Sequence, residues 1–287
     1  MNLPLAEPLK FLDLHRQEGC FIVPNAWDAG SAKMLASIGF AAIATTSAGI
    51  AFSLGRVDHG FAPAGARVDR ATMLARVRDI AASVDVPVTA DLEAGYGPTP
   101  ADVAETITQA IVAGAAGGNI EDFTGDRARP LFALEQAVAR IRAAREAIDR
   151  SGVPFVLNAR TDAILVDAGG VEECIRRGNA YREAGADCIF VPGATDPEVI
   201  RALARGLDAP LNVVMGLKGN RLSLQALRDL GVRRVTIGGS LARAVFHLIA
   251  EAGREMLERG TFDFGERQIG HDALNTLFSP SARAPES

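Results

Sequence analysis

The sequence predicts an α/β protein that folds as a single (β/α)8 TIM barrel. Two patterns indicate this fold: a recurring unit of helix end, glycine and apolar strand, and the alternation of eight strand candidates with eight helical stretches. The length of 287 residues also suits it, because α/β barrels routinely use about 250 residues as one domain. A doubly wound open sheet is the alternative, but no G-x-G-x-x-G turn follows an early strand.

The strands are predicted from the residues that introduce them. In four cases a glycine fits the left-handed position that ends a helix, and near-continuous Ala, Val and Ile follow, as a strand buried on both faces requires. These four units span 37–46, 112–122, 183–192 and 229–239. The other four strands, three of which open with Val-Pro or Ala-Pro, are predicted over 21–27, 86–94, 153–160 and 209–216.

Helices are predicted between the strands. Two have a clear start, since Thr99 and Asp196 are capping residues placed directly before a proline. The helical stretches are 28–37, 67–83, 100–113, 134–150, 170–184, 196–206, 221–230 and 240–258. The barrel is expected to occupy residues 1–260, and the tail 261–287 is expected to be partly disordered.

Composition excludes several classes of protein. A net charge of −5 and a pI of about 5.5 argue against nucleic-acid and anionic-membrane partners, which bind basic surfaces. Three cysteines without a close pair indicate neither a disulfide framework nor a zinc knuckle. The first residues lack a secretory signal pattern, and no run reaches the ~18 apolar residues of a membrane span. A cytoplasmic location is therefore expected.

Polar residues follow the predicted strands where a barrel places its chemistry, at the carboxyl ends. A plain scaffold needs no such set of carboxylates, amides, small residues and one arginine. In strand order the candidates are Ser47, Ala48 and Gly49, then Asp91 and Glu93, then Glu121, then Arg160 and Asp162, and finally Asn212.

Asp91 and Glu93 predict a metal site. They stand two apart on a predicted strand, so both side chains are expected on one face. Two neighbouring acids repel each other unless a cation or a proton lies between them. Carboxylate ligands without histidine or thiolate suit Mg²⁺, and Asp58, in the loop after the second strand, is placed to reach the same ion. The alternative is an ordinary solvent-facing turn.

Arg160 ends a buried strand and therefore needs an anion, which could be Glu121, Asp162 or a substrate carboxylate. A purely structural ion pair is the alternative. The backbone N–H groups and hydroxyl of residues 47–49 are a plausible cradle for a carboxylate or phosphate, although small residues also fill barrel rims.

Five segments together resemble one family. TSAG, SLGRVD, TADLEAGYG, NIED and NARTD, over about residues 20–245, are similar to the isocitrate lyase and phosphoenolpyruvate mutase superfamily, in its phosphoenolpyruvate mutase-like and carboxyvinyl-carboxyphosphonate phosphorylmutase-like branch. The resemblance implies a Mg²⁺-dependent enzyme that breaks or makes a C–C or P–C bond in 2-oxo acids or 2-hydroxy carboxylates. It also implies a homotetramer in which C-terminal helices exchange between subunits.

The resemblance implies a role for each candidate. Asp91 matches the direct Mg²⁺ ligand, and the acids that hold metal-bound waters are matched by Glu93, Asp58 and Glu121. The substrate-binding positions are Ser47, Ala48, Gly49, Arg160 and Asn212. The resemblance places Arg160, Asp58 and Glu121 in the catalytic machinery.

One segment departs from the family. Residues 123–130 read FTGDRARP and lack the cysteine and histidine of the isocitrate and methylisocitrate lyases. They also lack the asparagine and lysines of the phosphonopyruvate enzymes, and Tyr96 is a candidate substitute proton donor. We therefore expect a Mg²⁺-dependent lyase or decarboxylase that acts through a metal-stabilised enolate. The alternatives are a phosphonomutase or phosphonopyruvate hydrolase, and a non-catalytic 2-oxo acid binding protein.

Overall fold

The structure, a computed structural model, describes residues 5–58, 60, 63–217 and 221–279. Its strands are β1 (Phe21–Ile22), β2 (Asn25–Ala26), β3 (Ile43–Thr45), β4 (Val88–Asp91), β5 (Gly117–Glu121), β6 (Val156–Arg160), β7 (Cys188–Phe190), β8 (Leu211–Val214) and β9 (Arg234–Thr236). They form one sheet in the order β1-β9-β8-β7-β6-β5-β4-β3-β2, and every neighbouring pair is parallel. Because β1 and β2 are two parts of one predicted strand, the sheet closes into the predicted (β/α)8 barrel.

The predicted strand 21–27 is interrupted at Pro24. Val23 N–H donates to the Val235 carbonyl at 2.8 Å, whereas the Pro24 carbonyl accepts from Ala44 N–H at 2.8 Å. Proline has no N–H to offer a neighbouring strand. The ladder therefore changes partner here, so that β1 pairs with β9 and β2 pairs with β3.

All eight predicted helices are present, and three more α-helices were not predicted. The helices are α1 (Ala6–Arg16), α2 (Ala29–Ser37), α3 (Ser47–Ser53), α4 (Arg70–Ala81), α5 (Pro100–Val112), α6 (Leu134–Ser151), α7 (Gly170–Glu183), α8 (Pro197–Gly206), α9 (Leu224–Asp229), α10 (Ser240–Arg259) and α11 (His271–Phe278), with 3-10 turns at Ala64–Ala66 and Asp263–Arg267. The unpredicted ones are α1, α3 and α11. The starts of α5 and α8 are capped by Thr99 and Asp196, as predicted.

Helix α1 closes the amino-terminal end of the barrel. Phe11 is fully buried and packs under β5. A Cβ atom on Gly117 would lie 2.8 Å from the Phe11 ring and 2.8 Å from the Val156 carbonyl oxygen, so only glycine fits there. The Phe11 ring therefore fills the amino-terminal end of the barrel.

The C-terminal elements lie on the outside of the barrel. Helix α10 exposes large apolar side chains, including Phe246, Ile249 and Leu257. Helix α11, within the tail 261–287, contacts α2. Residues 280–287 lie outside the described residues, and the partial disorder expected over 261–287 stays a prediction. Within the described ranges, no helix is both long and apolar enough to cross a membrane.

Candidate active site

A cavity of about 390 Å³ opens at the carboxyl ends of the strands. A cavity of about 420 Å³ lies at the opposite end, near 84–88 and 111–115, but its lining is mostly apolar. The predicted site residues that line the first cavity are Ser47, Ala48, Asp58, Asp91, Arg160 and Asn212. These six therefore lie together at the end of the barrel where the fold predicts them, whereas Gly49, Glu93 and Glu121 are not part of the lining.

Asp91, the last residue of β4, is held by hydrogen bonds on both carboxylate oxygens. Ser47 N–H donates to Oδ2 at 2.9 Å and the Asn119 side-chain amide donates to Oδ1 at 2.9 Å. The Asp91 N–H donates to Thr45 Oγ1 at 2.9 Å. Glu93 N–H also donates to Oδ1, at 3.4 Å. Neighbouring elements thus fix both the backbone and the carboxylate of Asp91.

Glu93 lies in the turn after β4, and not on the strand as predicted. Both Glu93 and Tyr96 adopt positive φ angles, 50° and 57°. The prediction that Asp91 and Glu93 share a face through strand alternation is therefore wrong, because the turn sets the direction of Glu93. Glu121 N–H donates to the Glu93 carbonyl at 3.0 Å, and the Tyr96 hydroxyl donates to Glu93 Oε1 at 3.3 Å.

Arg160 pairs with two of the three anions that the sequence offered it. Its Nη1 lies 2.9 Å from Glu121 Oε2, and its Nε and Nη2 donate to the two oxygens of Asp162 at 2.6 and 2.9 Å. Its Cζ is 5.4 Å from the centroid of the Phe190 ring. The guanidinium is therefore rigidly placed, and it still lines the cavity with its side chain 19% exposed.

The acids of the site influence one another. Burial raises the pKa of Glu121 well above its ordinary value, and the charges of Asp162, Asp91 and Glu93 act in the same direction. For Asp91, burial also acts to raise the pKa, but the Arg160 charge and the hydrogen bonds from Ser47 and Asn119 outweigh it and lower the pKa. Burial, together with the charges of Glu93 and Asp91, raises the pKa of Tyr96 well above its ordinary value.

Residues 47–49 form the first turn of α3 and not an open loop. The Ser47 N–H is used by Asp91, and the Gly49 N–H donates to Thr46 Oγ1 at 3.3 Å. Within the described part of the chain, the Ala48 N–H has no hydrogen-bond acceptor. Ser47 Oγ donates to Asp58 Oδ1 at 3.3 Å, which brings Asp58 to the same rim.

The donor set fits Mg²⁺ in one particular way. The described residues contain no group of three or more acid, histidine or cysteine side chains that could together hold one ion. Asp91 is the acid with both oxygens fixed beside the cavity, whereas Glu93 and Glu121 are buried near it. One direct carboxylate with further acids acting through water is a common Mg²⁺ arrangement, so the residues present fit the ion.

Three contributing residues were not assigned a role from the sequence. Asn119 and Thr45 orient Asp91. Asn25 donates to the Thr45 carbonyl at 2.6 Å and accepts from the Ile237 and Gly238 N–H groups at 2.8 and 2.9 Å. The available signal was a polar residue inside an apolar strand, at the alternate positions that face the barrel interior.

The segment that departs from the family forms a loop with its own internal hydrogen bonds. Thr124 Oγ1 donates to the Arg129 carbonyl at 2.6 Å, and Asp126 Oδ1 accepts from Ala128 N–H at 2.9 Å. Residues 123–130 contribute nothing to the cavity lining. As described, the loop supplies no proton donor to the cavity.

Comparison with known proteins identifies the family. Residues 11–257 match the family model of phosphoenolpyruvate phosphomutase. An uncharacterised Mycobacterium tuberculosis protein is 35% identical over 86% of this chain and 88% of its own, and the oxaloacetate decarboxylase of Pseudomonas putida is 30% identical over 94% and 91%. A crystal structure from Burkholderia cenocepacia, provisionally classed as a lyase or mutase, shares 44% identity with a TM-score of 0.91 over 98% and 97% of the two chains. These matches confirm the resemblance, and the chain belongs to the phosphoenolpyruvate phosphomutase family of lyases and mutases.

Proposed function

We propose that this chain is a Mg²⁺-dependent lyase or decarboxylase that cleaves a C–C bond in a small 2-oxo or 2-hydroxy carboxylic acid through an enolate. The observation that carries the proposal is the meeting of Asp91, Arg160 and the first turn of α3 in one cavity. An acid for a metal, a fixed cation and a backbone donor are the groups such a substrate needs.

Asp91 would hold Mg²⁺ directly, with Glu93, Asp58 and Glu121 acting through water. The ion supplies positive charge where negative charge develops on the substrate's oxo oxygen. Asp91, Glu93 and Glu121 repel one another, and the charge of Arg160 offsets this only in part, since the pKa of Glu121 stays raised. This repulsion supports a cation beside the three acids.

The protein groups bind and orient the substrate. The free N–H of Ala48 suits its carboxylate, and it lies beside the Ser47 hydroxyl that donates to Asp58. Gly49 lets α3 pack closely because a Cβ there would lie 2.6 Å from Thr46. Arg160, held by Glu121 and Asp162, is preorganised to stabilise the developing oxyanion. The Asn212 amide lines the same cavity and supplies a further polar contact.

Decarboxylation suits this site better than cleavage of a tricarboxylate. Loop 123–130 places no acid in the cavity, and an enolate released by decarboxylation can take its proton from water. The full-length similarity to an oxaloacetate decarboxylase supports the same choice. We therefore propose oxaloacetate as the first substrate to test.

The alternative within enzymes is P–C bond chemistry, as a phosphonomutase or phosphonopyruvate hydrolase, which the family model favours by name. The alternative outside enzymes is a binding protein for 2-oxo acids. Turnover assays with oxaloacetate, phosphonopyruvate and 2-methylisocitrate, each with Mg²⁺ and with EDTA, separate the three. Mg²⁺-dependent C–C cleavage supports the proposal; product from phosphonopyruvate alone, or binding without turnover, contradicts it.

We further propose a homo-oligomer, a tetramer, built through α10. On this helix Leu248, Ile249 and Leu257 are 55%, 59% and 87% exposed. Large apolar side chains repeated along one exposed helix indicate a surface that another subunit covers.

A further inference from the structure

Arg234 is a buried cation at the floor of the active-site cavity. It is the first residue of β9, and its side chain points into the barrel like that of Thr236 two residues later. The residue is 2% exposed, its Nε and Nη1 have no hydrogen-bond partner, and in the described ranges no carboxylate lies within 4.0 Å of it. Its position is one side-chain layer deeper than Thr236.

Within the described ranges, three other buried or half-buried arginines all have partners. Arg140 donates to the Gly97 carbonyl at 2.7 Å, Arg160 binds Glu121 and Asp162, and Arg177 binds Asp122 at 3.2 Å. Burying a charge without a partner costs free energy, so proteins pair such groups. Burial lowers the pKa of Arg234 to about 10, and the group that opposes this is the thiol of Cys188. What Arg234 lacks is an anion.

Two buried amides on other strands of the barrel are also unsatisfied, and the first is adjacent to Arg234. Asn212, the register partner of Arg234 on β8, is fully buried, and neither its Oδ1 nor its Nδ2 has a partner. Asn158 on β6, which faces the interior like Arg160, shows the same. Buried side-chain amides normally make hydrogen bonds. The N–H groups of these two amides can donate hydrogen bonds to an anion.

The position of this group of residues points to the cavity as the source of the ligand. Phe11 covers Arg234 from the amino-terminal end of the barrel, with the Cζ atom 5.5 Å from its ring centroid. Arg234 and Asn212 both line the cavity on the other side. A buried water would satisfy the amides but would not offset the charge.

We propose that Arg234 and Asn212 form an anion-binding subsite at the floor of the active-site cavity, for a carboxylate or a small inorganic anion. If the anion is the distal carboxylate of a dicarboxylic substrate, the inference rests on the proposed function. If it is a free inorganic anion, it does not.

The first arm of the test uses chloride. Thermal unfolding of wild type, Arg234→Met and the control Arg228→Met is compared in potassium chloride and in potassium gluconate of equal ionic strength. Arg228 is exposed on α9. Its replacement changes the net charge by the same amount as Arg234→Met but leaves the cavity unchanged. An anion that binds only the folded protein raises its Tm, here by about 2–4 °C in wild type and the control but not in Arg234→Met. Bromide soaked into wild-type crystals should give an anomalous peak beside Arg234.

The second arm uses carboxylates of two lengths, measured by calorimetry in gluconate with Mg²⁺. Oxalate has two carbons and 3,3-difluorooxaloacetate has four, so only the longer probe carries a distal carboxylate. If that carboxylate binds Arg234, Arg234→Met weakens the four-carbon probe at least about tenfold and leaves oxalate within about twofold. Arg234→Lys keeps the charge and should recover part of the loss.

A chloride effect lost in Arg234→Met supports the subsite with a free anion, and a selective loss of the four-carbon probe supports it with a substrate carboxylate. If Arg234→Met changes neither the chloride-dependent shift in Tm nor the affinity for the four-carbon probe, water occupies the floor of the cavity and the proposal is overturned. Should Arg234→Met not fold, the absence of both the wild-type chloride shift and the bromide peak overturns it. The chloride arm needs no turnover, so failure of the proposed function would be seen separately.

Discussion

Arg160 and Glu121 end neighbouring strands directly opposite each other, and Arg160 Nη1 lies 2.9 Å from Glu121 Oε2. Glu121 is buried among three other acids that raise its pKa, after burial itself. Arg160 therefore stabilises the acid cluster in the folded protein before any substrate arrives. The same guanidinium serves the fold and the proposed chemistry.

Replacing Arg160 by methionine should destabilise the fold. The change leaves Glu121 and Asp162 buried without their counter-ion, which typically costs about 3–5 kcal/mol. Urea unfolding measures the free energy. Arg176→Met is the matched control, because that arginine pairs with Glu173 at the surface, where solvent screens the pair and its contribution is small. Equal losses in the two variants would contradict the assignment.

Asp91→Asn should weaken Mg²⁺ binding more than about tenfold, because a neutral amide replaces the proposed direct ligand at almost unchanged volume. Isothermal titration calorimetry with MgCl₂ measures this. Asp126→Asn, an acid of the 123–130 loop outside the cavity, controls for the change in net charge. Wild-type Mg²⁺ affinity in Asp91→Asn would remove Asp91 from the site.

His15 should make the protein less stable at acid pH. Its Nδ1–H donates to the Phe11 carbonyl at 2.8 Å, and burial, with the Arg234 charge, lowers its pKa from 6.5 to about 3. The folded state thus keeps His15 neutral, and unfolding takes up a proton below pH 6.5. The stabilisation is complete above pH 6.5 and falls as the pH drops toward 3.

The loss attributable to His15 is about 2 kcal/mol by pH 5 and about 5 kcal/mol in full. Urea unfolding of wild type and His15→Gln at pH 7.5 and pH 5 measures it, with His271→Gln as an exposed control. The difference between wild type and His15→Gln should shrink by about 2 kcal/mol at pH 5. A pH-independent difference would show that His15 is not held neutral.

The enzyme should not cleave isocitrate or 2-methylisocitrate at a useful rate. In both reactions the enzyme must donate a proton to the released fragment. General acid catalysis typically raises the reaction rate about 10²–10⁴-fold when the donor is within hydrogen-bond reach. Tyr96, the substitute donor that the sequence suggested, donates to Glu93 and does not line the cavity. Rapid release of glyoxylate or pyruvate from either compound would contradict this, and loss of that activity in Tyr96→Phe would identify the donor.

The protein should sediment as a tetramer at micromolar concentration. Ile249→Glu, which places a charge on the exposed apolar face of α10, should shift the mass toward smaller species. Glu258→Gln on the same helix is the control. A monomeric wild type would refute the proposed assembly.

The barrel could be predicted from sequence because its signals are local. Seven of the eight predicted strands follow a helix-ending glycine or open with a proline, and this repetition leaves few other topologies. Helices α1, α3 and α11 were missed because tertiary contacts stabilise them; Phe11 is fully buried only when the barrel end is present to receive it.

The sequence allowed the site residues at the strand ends to be predicted, but not those in the barrel interior. Asp91, Glu121 and Arg160 could be found because a barrel places its chemistry there. Arg234 stands beside Arg233 at the start of a strand, and only the register shows that Arg234 faces the interior while Arg233 donates to the Gly19 carbonyl outside. The turn at Glu93 requires a positive φ, and a glutamate in the sequence does not indicate such a conformation.

The most direct test of the account is Mg²⁺-dependent pyruvate formation from oxaloacetate, followed by NMR with wild type, Asp91→Asn and a Mg²⁺ blank without protein. The account predicts that wild type exceeds the blank at least about a hundredfold, that EDTA abolishes the excess, and that Asp91→Asn falls to near the blank. Wild-type turnover that persists in EDTA, or in Asp91→Asn, would contradict it.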